Sequence, residues 1–188
     1  MSVTKCKDGL KRLFRSKGFY MQIEDYPYED GTSSYIYRFK NIKDTEYGFL
    51  SITNSIDYTI YKKNETTSEP TLHIRDIDVY TEYRSKGIAR AMLLFGLCDS
   101  MLKFPNHAYA DLEDDTPTAF DDAHNLYAHF GFHFKTEDEH QEKQLKLEDF
   151  KKERMMKLYD KVRTSFASFK KDDSVKKDDS VKKMRMNT

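Results

Sequence analysis

The chain has 188 residues, 32 Lys and Arg against 32 Asp and Glu, 14% aromatic residues that are all Tyr and Phe, and two cysteines. Balanced charge provides no basic field for nucleic acid or an anionic membrane, and no apolar run approaches the roughly eighteen residues of a membrane span. Cys6 and Cys98 have no metal-ligand spacing and no signal-peptide core is present, so the expectation is a soluble, cytoplasmic protein with two buried free thiols.

Residues 3–17 place Val3, Cys6, Leu10, Leu13 and Phe14 on one helical face opposite Lys and Arg, with Gly18 where a C-cap would stand. Strand-like runs follow at 19–23, 35–40, 47–53 and 58–62, separated by a loop at 25–31 and a turn at 41–46. The stretch 63–70 reads as a polar loop. An antiparallel meander therefore leads up to 72–79, whose alternation and β-branched residues predict a further strand. Over 88–102 the residues Ile88, Ala91, Met92, Phe95, Cys98 and Leu102 recur at helical spacing. A strand is expected at 107–112, then an acidic loop at 113–117 with Thr116 or Thr118 as N-cap and Pro117 in a first turn. A helix at 118–130 ended by Gly131, and a strand opening at Phe132, follow.

Residues 136–142 are acidic and polar. Leu147, Phe150, Met155, Leu158, Val162, Phe166 and Phe169 then mark an amphipathic helix over 147–169, which packs on its own domain or serves a dimer or partner. The tail 170–188 repeats Lys-Lys-Asp-Asp-Ser-Val and has too few apolar residues to fold. The organisation expected is a domain over 1–146, the helix 147–169 and a disordered charged tail.

Between strand 72–79 and helix 88–102 lies Arg84-Ser85-Lys86-Gly87-Ile88-Ala89. A helix starting near Gly87 presents unpaired N–H groups and the positive end of its dipole beside two cationic side chains, which suits a phosphate or pyrophosphate. Gly87 allows close approach to the backbone. Without other signals the same residues would be a capped turn with surface charges.

The form R-x-x-G-x-A at 84–89 resembles the acyl-CoA signature R/Q-x-x-G-x-G/A of the GCN5-related N-acetyltransferase (GNAT) superfamily. Tyr127-Ala-His-Phe-Gly131-Phe132 resembles the Y-x-x-x-G-F that closes the same family's cofactor site. The likeness covers about 33–136. It implies an α/β (α+β) fold with a mixed, mostly antiparallel sheet splayed at its two central strands, helices on both faces, and acetyl-CoA as co-substrate in the splay. By the same resemblance, backbone N–H groups of Arg84, Ser85, Lys86, Gly87, Ile88 and Ala89 hold the pyrophosphate. Ile77, Asp78 and Val79 pair with the pantetheine arm and polarise the thioester, and Tyr127 protonates the leaving thiolate.

The base is open among Asp78, Glu113, Asp76 and His73, with Asp76 and Asp78 on one strand face and His73 on the other unless a bulge changes the parity. Asp76, Asp78, Glu113, Asp114, Asp115, Asp121 and Asp122 gather near the expected opening and would attract a cationic amine, or form a solvated rim. His124, His129, His133 and His140 lack metal-site spacing, so no metal is expected.

Three departures from the family stand out. Only a loop separates the first two strands, where the family has helices. Ala123 matches the position four before Tyr127, but Phe120 occupies the family's Asn position seven before it. Asn125 is displaced by five residues, so the role does not transfer. The function expected is acetyl transfer from acetyl-CoA to a primary amine by direct attack. The alternatives are a module that binds acyl-CoA or a protein without turnover, and an interaction protein acting through the C-terminal helix and tail. A homodimer or partner through that helix stays open, with no membrane and nucleic acid not expected.

Overall fold

The computed structural model describes residues 1–29, 31–62, 65–116, 121, 123–134 and 142–169. Helix α1 (Val3–Ser16) is capped by Ser2, whose hydroxyl accepts from the Lys5 N–H, and buries Val3, Cys6, Leu10 and Phe14. Strands β1 (Phe19–Pro27), β2 (Ser33–Asn41), β3 (Glu46–Lys62) and β4 (Glu65–Val79) form the antiparallel meander. After a 3-10 turn at Thr81–Tyr83, α2 (Ile88–Lys103) crosses back so that β5 (Tyr109–Glu113) pairs parallel with β4. The short α3 (Leu126–Phe130), β6 (His133–Phe134) and β7 (Glu142–Lys146) follow. The sheet runs β1-β2-β3-β4-β5-β7-β6.

Two expectations about the meander are corrected. The separate strands 47–53 and 58–62 are one strand with a register shift between Ser55 and Tyr58. Residues 65–70, expected in a polar loop, pair with β3 as the start of β4. Backbone pairing with a long neighbour supplies hydrogen bonds that local polarity does not forecast.

Helix α2 forms the centre of the core, with residues 91–100 all buried. Helices α1 and α5 (Met155–Ala167) pack beside it, and α1 contacts α5. Phe166 of α5 packs among Phe14, Phe19, Phe39 and Phe169 at ring separations of 4.9–6.3 Å. The apolar face of the C-terminal helix is therefore spent inside this core. Cys6 and Cys98, far apart in sequence, come together where α1 meets α2; both are free and buried, and the Cys98 thiol donates to the Met155 sulfur at 3.8 Å.

The segment 147–169 is not one regular helix. A helical turn α4 (Leu147–Asp149) passes through a π-helical turn (Phe150–Arg154) into α5. Phe150 and Met155, five residues apart, are both fully buried. The extra residue in the π turn brings a spacing of five onto one face.

The two central strands diverge. The β4–β5 ladder runs from Thr71 with Tyr109 to Ile74 with Leu112 and stops, while β4 continues to Val79 paired with β3 alone. No helix among the described residues is long and apolar enough to cross a membrane. The tail 170–188, Pro117, Thr118, Phe120, Asp122 and His140 lie outside the described residues.

Candidate active site

The end of β4 is shaped by a bulge. Ile52 pairs with Ile74 and Ser51 with Asp76, so Arg75 is the extra residue. Leu72 and Ile74 face the core before it, Ile77 and Val79 after it. His73, Asp76 and Asp78, opposite Thr53, Ser51 and Phe49, therefore share the other face. This corrects the simple alternation that set His73 apart from the two aspartates.

The basic turn holds itself against the strand end. Arg84 donates from Nε to the Val79 carbonyl (2.8 Å), and its guanidinium lies 3.4 Å from Asp78. Ser85 and Gly87 adopt left-handed conformations, with φ of 62° and 80°. The first bond of α2 runs from the Ala91 N–H to the Gly87 carbonyl. Among the described residues the N–H groups of 85–90 have no partner, leaving a row of donors at the start of a sixteen-residue helix. Lys86 stands over the Tyr83 ring, 5.6 Å from its centroid. The open side of Gly87 is taken by α5: a Cβ there would come within 2.8 Å of the Ser165 Cβ.

Across the divergence, α3 begins later than expected. Asp121 binds the Ala123 N–H and the His124 ring in a local turn, and its carbonyl accepts from the Asn125 N–H, so 123–125 are not helical. Asn125 is the N-cap: its Oδ1 accepts from the Ala128 N–H (2.9 Å) and its Nδ2 donates to Asp114 (2.7 Å). Asp114 also takes a bond from the Thr116 hydroxyl (2.6 Å) and the Lys143 ammonium at 2.8 Å, with Asp114 0% and Lys143 1% exposed. Burial alone would raise the Asp114 carboxyl, but Lys143, Thr116 and Asn125 together outweigh it and hold it below the usual range.

This buried hub fixes the helix that carries Tyr127, which is 7% exposed. Gly131, at φ 97°, ends the helix with its N–H on the Tyr127 carbonyl. Burial pushes the Tyr127 phenol well above its ordinary value, with the Asp114 and Asp76 charges adding to the shift. The phenol thus stays protonated through neutral pH, between a residue of β4 and one that follows β5.

Of the candidate bases, Asp78 is engaged by Arg84, Asp76 is exposed, and Glu113 ends β5 opposite Glu142 of β7. His73 meets a buried partner: its Nδ1 lies 2.7 Å from Oδ1 of Asp111 on β5, which is 2% exposed. Burial, with Glu142 adding, raises the Asp111 carboxyl, and His73 pulls the other way.

Sequence reasoning missed Asp111, Asn125 and Lys143. Asn125 carried a legible signal, since Asn is a preferred N-cap. Asp111 and Lys143 did not, because only cross-strand register reveals their partners.

No family model matches the sequence, and no curated protein matches it. Solved structures do match the fold. A tyrosine-to-phenylalanine mutant of the AtaT toxin is 8% identical at a TM-score of 0.53, covering 71% of this chain and 92% of that one. The same mutant bound to the C-terminus of the antitoxin AtaR gives 9% and 0.52, covering 71% and 96%. A similar mutant of KacT gives 10% and 0.50, covering 78% and 82%. AtaT and KacT are GNAT-family acetyltransferases. This chain has the GNAT fold.

Proposed function

We propose that this GNAT-fold chain is an acetyl-CoA-dependent N-acetyltransferase that transfers an acetyl group to a primary amine by direct attack. The observation that carries the reading is the parting of β4 and β5 beyond Ile74 and Leu112, with the buried Tyr127 phenol near the gap and the unpaired N–H row of 85–90 at the end of the turn that follows β4. The residues fit the co-substrate: six N–H donors and Lys86 suit a pyrophosphate, and Ile77, Asp78 and Val79 have lost β5 as a neighbour.

In this reading the N–H groups of Ser85, Lys86, Gly87, Ile88 and Ala89 hold the pyrophosphate, with Arg84, whose own N–H is on the Thr81 carbonyl, supplying its side-chain charge. The Ile77–Val79 backbone pairs with the pantetheine arm and polarises the thioester carbonyl, and Tyr127 gives its proton to the departing thiolate. A phenol held protonated by its surroundings is suited to that donation. A cationic acceptor fits the carboxylates Asp76, Asp78 and Glu113 at the opening. A soluble, cytoplasmic setting without a metal belongs to the same reading.

Calorimetric titration of acetyl-CoA into wild type and Lys86→Glu tests it, followed by a CoA-release assay on a panel of primary amines. Micromolar binding weakened tenfold or more by Lys86→Glu, with turnover on at least one amine, is expected. Binding without turnover on any amine favours a module that holds acyl-CoA, and no binding by folded protein removes the cofactor assignment.

A further inference from the structure

We infer that His73, oriented by Asp111, is the base that takes the proton from the acceptor amine, an inference that rests on the acyl-transfer reading above. The two side chains meet in register across the parallel strands β4 and β5, Nδ1 to Oδ1 at 2.7 Å. Asp111 is 2% exposed and lies between the core residues Ala110 and Leu112, whereas His73 is 40% exposed. A buried carboxylate accepting the Nδ1 proton holds the neutral ring in the tautomer whose lone pair is on Nε2. Nε2 has no partner among the described residues and is left for substrate. Asp78 and Glu113 lack any such orienting group, and Asp78 is held by Arg84.

The placement suits the reaction. His73 and Asp111 form the rung next to the last of the β4–β5 ladder, and the gap opens just beyond. The Arg75 bulge turns His73 onto the face that carries Asp76, whose charge is felt by the Tyr127 phenol. Because the bulge sets the three-residue step from His73 to Asp76 opposite a two-residue step of β3, the two stand about 7 Å apart along the strand, and one water beside Nε2 bridges to an amine at the mouth of the gap. The charged groups that strand register puts on the His73 face are Asp76 of β4, Asp111 and Glu113 of β5, and Glu142 and Lys146 of β7, with Arg75 in the bulge beside it; they are mostly carboxylates, which draw in a cationic amine.

The amine nitrogen forms a C–N bond to the thioester carbonyl carbon, and the C–S bond breaks. The thiolate takes the Tyr127 proton. The proton on the attacking nitrogen passes to Nε2 of His73 and then to solvent, from which Tyr127 is reprotonated. Asp111 acts through His73 as a positioning residue.

The test compares wild type, His73→Asn and Asp111→Asn in pH–rate profiles of CoA release, with cadaverine, agmatine and benzylamine as acceptors, beside acetyl-CoA titrations and thermal melts. Loss of about a hundredfold or more in kcat with acetyl-CoA affinity kept, disappearance of the acidic limb of the profile, and partial rescue of His73→Asn by free imidazole are expected. Asp111→Asn should lower kcat at least tenfold with KM little changed. A His73→Asn enzyme that keeps the acidic limb, or loses rate equally at all pH values without imidazole rescue, overturns the role of the pair. A wild type that binds acetyl-CoA but releases CoA with none of the amines overturns the proposed turnover itself, and the base with it.

Discussion

Ser165 of α5 lies against Gly87 at the start of α2, so close that any Cβ on Gly87 would come within 3.0 Å of the serine hydroxyl. The glycine of the basic turn is thus required twice, by its φ of 80° and by the helix laid over it. Gly87→Ala should destabilise the protein by about 2–4 kcal/mol, the sum of a left-handed alanine and an overpacked contact. Adding Ser165→Gly should return part of that loss in urea unfolding. A neutral Gly87→Ala would mean that α5 yields there at little cost.

Lys143 and Asp114 make a buried pair whose removal on one side leaves a stranded charge. Lys143→Met should cost about 3–5 kcal/mol at pH 7. The Asp114 carboxyl is held below its unfolded value, so its contribution is complete above about pH 4 and is lost as pH falls through the lowered folded value. The gap between wild type and Lys143→Met should therefore shrink below about pH 4. Denaturant midpoints across pH check both the size and the direction.

Tyr127→Phe should leave the fold and acetyl-CoA affinity nearly intact while lowering kcat by about a hundredfold, the usual range for losing a general acid. Because burial and nearby carboxylates raise the phenol above its ordinary value, no alkaline loss of rate from Tyr127 should appear below about pH 10. An alkaline limb near pH 8 that vanishes in Tyr127→Phe would contradict this placement.

Phe166 joins α5 to α1, β1 and β2 through three ring contacts, and stacks on Phe169 just after its own helix. Phe166→Ala should cost about 3–5 kcal/mol. Deletion from Leu147 onward should remove cooperative unfolding altogether, since Phe150, Met155, Leu158 and Val162 leave the core with it. A truncated chain that melts cooperatively would show that the helix only covers a finished domain.

Much of this molecule was legible without coordinates. The face Val3, Cys6, Leu10 and Phe14, the alternation at 72–79 and the apolar run 88–102 each carry a periodic signal; the two observed helices match it closely at both ends, and the strand matches it at Val79 but begins seven residues earlier, at Glu65. The basic turn and the Tyr127 motif could be read because helix N-termini and glycine turns are coded over a few adjacent residues. Strand 142–146 was not legible, since it buries only Lys143 and Leu145 and its lysine looks like surface until Asp114 is placed beside it. The start of α3 turned on Asp121 forming its own local turn, a competition between side chain and backbone that helical spacing does not register. The π turn was present in the sequence as the five-residue step from Phe150 to Met155, but only packing shows that both must point inward.

Sequence alone therefore determined the elements whose signals are local: helices α1 and α2, the antiparallel order of the first strands, and the glycine turn between β4 and α2. Tertiary structure decided which residues meet. A single bulge residue, Arg75, moved His73 onto the face of Asp76 and Asp78, and parallel register set it against Asp111. Strand periodicity is two, so one inserted residue exchanges the faces, and no local pattern in the chain states where that insertion falls.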